Sequence, residues 1–199
     1  MKKFAVAALL AALSTSAFAA QGDILARFRI TNVNPQTSVN DVLETLKVDV
    51  NDDTIPELDF TYMFTNNIGA ELILGTSKHD ISASGTNIGS VKVLPPTLTA
   101  QYHFSPEGQF RPYVGAGINY TRFYGFKDDS GLGLSIKKNS FGPALQVGMD
   151  IPVSKNVFIN FDVKKLWIKT KVSSSVAGGE VGTLDINPLV TSVGIGTKF

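Results

Sequence analysis

The chain contains no cysteine, one tryptophan and two histidines in 199 residues. Without cysteine there can be no disulfide framework and no thiolate chemistry. An exported chain of this size must then hold itself together with a packed core or a closed sheet. Charge is nearly balanced, with 18 Lys+Arg against 17 Asp+Glu, and loss of Lys2 and Lys3 with a leader leaves 16 against 17. That balance argues against nucleic acid as a partner, because phosphate binding needs a clear basic excess. Beyond the first twenty residues there is no run of about 18 apolar residues, so no helical membrane span is expected. A membrane-embedded chain of this composition must be a closed β-barrel, the other structure that satisfies every backbone polar group in lipid.

The opening "MKKFAVAALLAALSTSAFAA" has two lysines, a short apolar run and Ala17-Phe18-Ala19. Residues 1–19 therefore read as a removable secretory signal peptide, and residues 20–199 as one domain. Eight segments alternate with period two, near 24–31, 55–65, 68–81, 91–104, 110–124, 140–151, 157–172 and 184–199. "SVNDVLETL" (38–46) has helical spacing and reads as a short helix within a loop. The connections run about 23, 2, 9, 5, 15, 5 and 11 residues, long alternating with short. Outer-membrane barrels sort their loops this way, with short periplasmic turns and long extracellular loops. The expected fold is all-β, an eight-stranded antiparallel up-and-down transmembrane β-barrel, with extracellular loops near 32–54, 82–90, 125–139 and 173–183.

The strand faces agree. Leu58, Phe60, Tyr62 and Phe64 alternate with Glu57, Asp59, Thr61 and Met63; Leu98, Ala100, Tyr102 and Phe104 alternate with Thr97, Thr99, Gln101 and His103. Apolar residues face lipid and polar or small ones the lumen. Tyr62, Phe64, Tyr102, Phe104, Phe110, Phe158 and Phe199 cluster near periplasmic strand ends, where several would form an aromatic girdle. The last strand, "NPLVTSVGIGTKF", places Phe199 on the lipid face, where a closing strand meets an assembly partner. In the seventh strand, "KKLWIKTK" puts Lys165 on the lipid face. Either a bulge flips the phase or, the preferred reading, the strand has left the membrane there, with Lys165, Lys169 and Lys171 near anionic head groups.

"LPPTLTAQYHF" with "FRPYVGAGINYT", and also "TNNIGAELI", "ALQVGMDI" and "DINPLVTSVGIGTKF", resemble the OmpW family of outer-membrane proteins across the whole mature chain. The resemblance implies an eight-stranded outer-membrane barrel with a narrow, partly apolar channel associated with uptake of small hydrophobic molecules. It implies a terminal aromatic, Phe199, read by the barrel assembly machinery. The chain departs from the family pattern at "DVKKLW", where Lys164 stands in an inward phase that tends to hold an aromatic residue.

Eight strands enclose an interior barely wider than its own side chains, which excludes a large aqueous pore. Low in the barrel, Arg27, Arg29, Asp59, Glu71, Arg111, Asp150, Asp162 and Lys198 face inward with both signs and can pair into a plug. Higher up, Gly75, Gly117, Asn119, Phe123, Gly142, Ala144, Lys164 and Val190 are expected to line the upper lumen, the smaller ones leaving a cavity open to the outside. Proline removes a ladder hydrogen bond, so Pro95, Pro96 and Pro143 mark a candidate lateral opening. The expected function is passive uptake of small hydrophobic solutes with lateral exit into the membrane. The alternative is a non-transporting surface barrel whose loops serve adhesion or docking; a soluble lipocalin-like binder is a third reading. The expected partners are outer-membrane lipid and lipopolysaccharide, the assembly machinery and the solutes. His79 and His103 lie without a sequence-adjacent catalytic partner, "DVNDDT" (49–54) lacks the glycine and closing glutamate of a calcium loop, and neither catalysis, a metal nor a cofactor is expected.

Overall fold

The computed structural model describes residues 20–40 and 42–199. The expected signal peptide, residues 1–19, lies outside the described residues. The strands are β1 (Ile24–Asn34), β2 (Ser38–Val39), β3 (Val48–Val50), β4 (Asp53–Met63), β5 (Ile68–Gly75), β6 (Ser77–Ala83), β7 (Thr86–Leu94), β8 (Thr97–His103), β9 (Arg111–Asp128), β10 (Leu134–Ile136), β11 (Asn139–Pro152), β12 (Val157–Leu166), β13 (Lys169–Ser174), β14 (Gly179–Asp185) and β15 (Leu189–Lys198). One helical turn, α1 (Val42–Thr45), lies between β2 and β3. The helix expected over 38–46 is thus shortened, because Ser38 and Val39 pair with Asp185 and Leu184 instead.

Antiparallel ladders run β1–β4–β5–β8–β9–β11–β12–β15, and β15 pairs back onto β1. The barrel closes, so no strand edge is left exposed in lipid. Its polarity is inverted. Phe28, Leu58, Leu98 and Ile195 on the outer face are 47–54% exposed, whereas Arg27, Arg29, Asp59 and Glu71 are at most 1% exposed inside. Water would not tolerate so much apolar surface on a monomer, but hydrocarbon does.

The short turns at 64–67, 104–110 and 153–156 gather at one end with both described termini, and the long connections gather at the other. The strands continue beyond the expected membrane limits into a second layer. There β6 and β7 form a hairpin against β9 and β3, and β10, β13, β14 and β2 form a separate sheet. Four of the expected long strands are therefore broken at a similar height, at Thr76, Pro95–Pro96, Trp167–Ile168 and 186–188.

Lys165 keeps its outward phase without a bulge, as the unbroken register Leu145↔Lys165↔Leu189 requires. Its ammonium donates to the Asn187 carbonyl, and Trp167, Lys169 and Lys171 follow on the same outer face. At the opposite rim, Tyr62–Phe64 and Tyr102–Phe104 make edge contacts at 5.1 Å. Phe158 does not join that girdle. It is fully buried inside with Leu25 and Met63, because its neighbours Val157 and Ile159 take the outer phase.

Candidate functional site: a charged plug beneath an apolar cavity

Successive inward residues of β1 climb the lumen by about 6.6 Å per pair of residues. Leu25 lies lowest, then Arg27, Arg29, Thr31 and Val33, and each meets a different layer. At the base, Leu25, Met63 and Phe158 close the floor, with the Arg27 guanidinium 5.3 Å from the Phe158 ring centre. Small residues opposite create the space, since a Cβ at Gly196 would lie 2.3 Å from the Phe158 ring.

The charged layer follows. Arg27 Nη1 is 3.0 Å from Asp59 Oδ1, and its Nη2 is 2.8 Å from Asp150 Oδ2. Arg29 Nη1 reaches Glu57 Oε1 at 3.2 Å and Asp59 Oδ2 at 3.1 Å, and its Nη2 reaches Glu71 Oε1 at 3.1 Å. Lys164 Nζ bridges Glu57 Oε1 at 2.8 Å and Asp162 Oδ1 at 2.9 Å. Gln146 Nε2 donates to Glu71 Oε2 and to Asp162 Oδ2, both at 2.7 Å, and the Tyr113 hydroxyl donates to Asp162 Oδ2 at 2.6 Å. His103 faces inward beneath, with Nε2 3.1 Å from Gln101 Oε1. Charges buried this deeply persist because each has several opposite or dipolar partners.

Six of the eight residues expected in the plug meet there: Arg27, Arg29, Asp59, Glu71, Asp150 and Asp162. The other two lie at its lower margin. Lys198 sits at the rim, pairing with Asp23 at 3.3 Å, because it is the last paired residue of β15. Arg111 lies at the lower end beside Asp150 across the ladder, and its Nε donates to the Gly108 carbonyl in the turn at 2.8 Å. Lys164, expected higher, belongs to the plug, because its four-carbon stem reaches down to Asp162. The plug's partners Glu57, Tyr113, Gln101, Gln146 and Asn160 were missing from that expected set. The inward phase of their strands was their only signal.

Above the plug lies a partly open cavity, with about 570 Å³ of empty space reaching out through its mouth. Glu57 and Lys164 form its base, and Val33, Ile55, Ile73, Val93, Ile186 and Val190 are among its walls. Of the residues expected in the upper lumen, Gly75 and Val190 line its walls and Lys164 its base. Gly117, Asn119, Phe123, Gly142 and Ala144 do not. A Cβ at Gly117 would lie 1.9 Å from the Leu98 carbonyl oxygen, and one at Gly142 1.9 Å from that of Trp167. These glycines admit neighbouring backbone rather than a solute. Asn119 is tied to the Gly142 and Pro143 carbonyls at 3.1 and 3.0 Å, while Phe123 and Ala144 belong to the apolar cluster of the upper barrel. In that cluster a second cavity of about 380 Å³ is lined wholly by apolar side chains, including Leu43, Ile81, Phe126 and Leu184.

The backbone ladder of the wall beside the larger cavity is interrupted, although the Thr76 hydroxyl donates to the Val93 carbonyl across it at 3.3 Å. Ile73↔Thr97 and Ser77↔Val93 share one register, yet no backbone pair joins them between 74–76 and 94–96. Pro95 and Pro96 have no N–H to give. On the other flank the β4–β5 ladder stops at Glu57↔Gly75, and β6 turns to β3. Pro95 lines the cavity. Pro143 does not mark an opening, because its outer-facing ring lies within the unbroken β9–β11 ladder and its carbonyl accepts from the Trp167 amide at 3.2 Å.

Lipid-facing apolar staves around a charged interior define the class, an eight-stranded β-barrel of the bacterial outer membrane. More particularly, the chain belongs to the OmpW family, which it matches over residues 20–199. Outer membrane protein W of Escherichia coli (strain K12) is 38% identical, covering 100% of both chains. The dibenzothiophene metabolism operon protein DoxH of Pseudomonas sp. (strain C18) is 31% identical over 87% of each. The crystal structure of OprG from Pseudomonas aeruginosa superposes with a TM-score of 0.83 at 31% identity, covering 93% of this chain and 99% of that one.

Proposed function

We propose that the barrel assists passive uptake of small hydrophobic molecules, which enter from outside, descend into the larger cavity, are stopped by the charged plug and leave sideways beside Pro95 and Pro96. The observation that carries this reading is the cavity itself, apolar in its walls, charged at its base and adjacent to unpaired wall. Crossing the plug would strip an apolar solute of contacts and break paired charges. Moving sideways keeps its surface out of water, at about 25 cal/mol per Å². The relative DoxH, named for a dibenzothiophene metabolism operon, supports an apolar cargo.

The test is entry of a radiolabelled apolar solute into cells that carry the chain as their one protein of this family. Pro95→Ala with Pro96→Ala gives the wall back two donors. Uptake is expected to fall severalfold while a small polar solute enters no faster. Unchanged uptake in the double variant would remove the side exit, and equal entry with and without the protein would remove transport altogether.

A further inference from the structure

Besides Glu57 and Lys164 at its base, the cavity has Ser77, His79 and Thr97 as its polar lining. His79 Nδ1 lies 2.7 Å from the Asn51 carbonyl oxygen, and its Nε2 lies 2.8 Å from Ser77 Oγ. A carbonyl oxygen can only accept, so Nδ1 carries the proton. In the neutral ring Nε2 then accepts, and the Ser77 hydroxyl donates to it. Both side chains are at least 95% buried, and both line the cavity. With its hydrogen committed, Ser77 Oγ presents lone pairs that take no hydrogen bond from any described residue. Thr97, on the neighbouring strand of the same wall, is arranged alike, its hydroxyl donating to the Pro95 carbonyl at 2.9 Å. The uncharged wall therefore offers side-chain acceptors whose hydrogens are spent. The base repels anions, because the carboxyl groups Glu57, Asp59, Glu71, Asp150 and Asp162 outnumber the cations Arg27, Arg29 and Lys164 that they pair with.

We propose that this cavity selects neutral apolar molecules bearing one hydroxyl group, a phenol or a small apolar alcohol, whose hydrogen is accepted by Ser77 Oγ. The inference rests on the uptake reading and names its cargo. A hydrocarbon leaves the serine lone pairs dry and unmatched, a carboxylate meets Glu57, and a hydroxyl satisfies the site while its skeleton fills the apolar walls.

Four probes of one skeleton decide it: naphthalene, 1-naphthol, 1-methoxynaphthalene and 1-naphthoate. Each is equilibrated by dialysis against nanodiscs carrying the folded barrel, with protein-free nanodiscs as the correction for lipid partitioning. The naphthol is expected to bind about fivefold tighter than naphthalene, as one added neutral hydrogen bond allows. Methoxynaphthalene, with the oxygen but no hydrogen, should match naphthalene, and naphthoate should bind weakest. Ser77→Ala should bring the naphthol-to-naphthalene ratio close to one, and Ser77→Thr should retain it. Equal binding of naphthol and methoxynaphthalene, which needs no variant, would overturn the selection, as would a ratio unmoved by Ser77→Ala or naphthoate binding as tight as naphthol. No probe binding above protein-free nanodiscs would remove the guest cavity, and the uptake reading with it.

Discussion

Arg29 gathers more of the plug than any single carboxyl does, touching Glu57, Asp59 and Glu71 while its Nε donates to Asn160 at 2.7 Å. Arg29→Leu would leave those carboxyl groups without their shared cation in a dry interior. The expected cost is about 3–5 kcal/mol, read as a lower urea midpoint for the barrel refolded in lipid. A midpoint within error of the parent protein would mean that the network contributes nothing to stability. Gly196 tests the base of the lumen in the same way. Gly196→Val would drive its side chain into the Phe158 ring, and little of the variant is expected in the compact form that resists unfolding by detergent in gel electrophoresis. The inward phase of Arg27, Arg29 and Asp59 was legible from alternation alone. The partner of each charge was not, because pairing depends on which staves face one another across the lumen.

At the scale of elements, the unpaired stretch between 74–76 and 94–96 divides a lower barrel from the extracellular layer. The shared register places Thr76 opposite Leu94, and the chain has no cysteine of its own. A Thr76→Cys, Leu94→Cys pair can therefore be oxidised without competing bonds. Oxidation is expected to cut apolar uptake at least fivefold and reduction to restore it; uptake indifferent to the redox state would place the exit elsewhere. Pro95 and Pro96 coincide with an interrupted ladder, whereas Pro143 lies in a continuous one. Proline at an outward position of a continuous wall loses one donor without opening anything, and sequence does not distinguish the two cases.

For the whole molecule, closure of the barrel separates two roles. On the proposed reading transport belongs to the lumen and wall, whereas the alternative surface role would belong to the loops. Replacing residues 37–50 by a short Gly-Ser linker removes β2, α1 and β3 but leaves Asn51 in place and the eight staves joined. Uptake is expected to persist at half or more of its rate, because the larger cavity lies below that segment. Loss of uptake together with retained folding would shift the function to the extracellular layer.

Alternation of side chains determined, from the sequence by itself, the strand count, the membrane-facing surface and the identity of most inward charges, because a period of two depends on nothing but neighbouring residues. The lengths of the connections likewise told the end with short turns from the end with long loops. Which glycines leave space and which admit a neighbour's backbone was decided only in three dimensions, as Gly75 against Gly117 and Gly142 shows. So was the meeting of Ser77 with His79 and Asn51, since hydrogen bonds between β6 and the chain before β4 depend on how far each strand climbs above the membrane. Local periodicity reports a residue's side of the wall; the curvature of the closed sheet decides what it finds there.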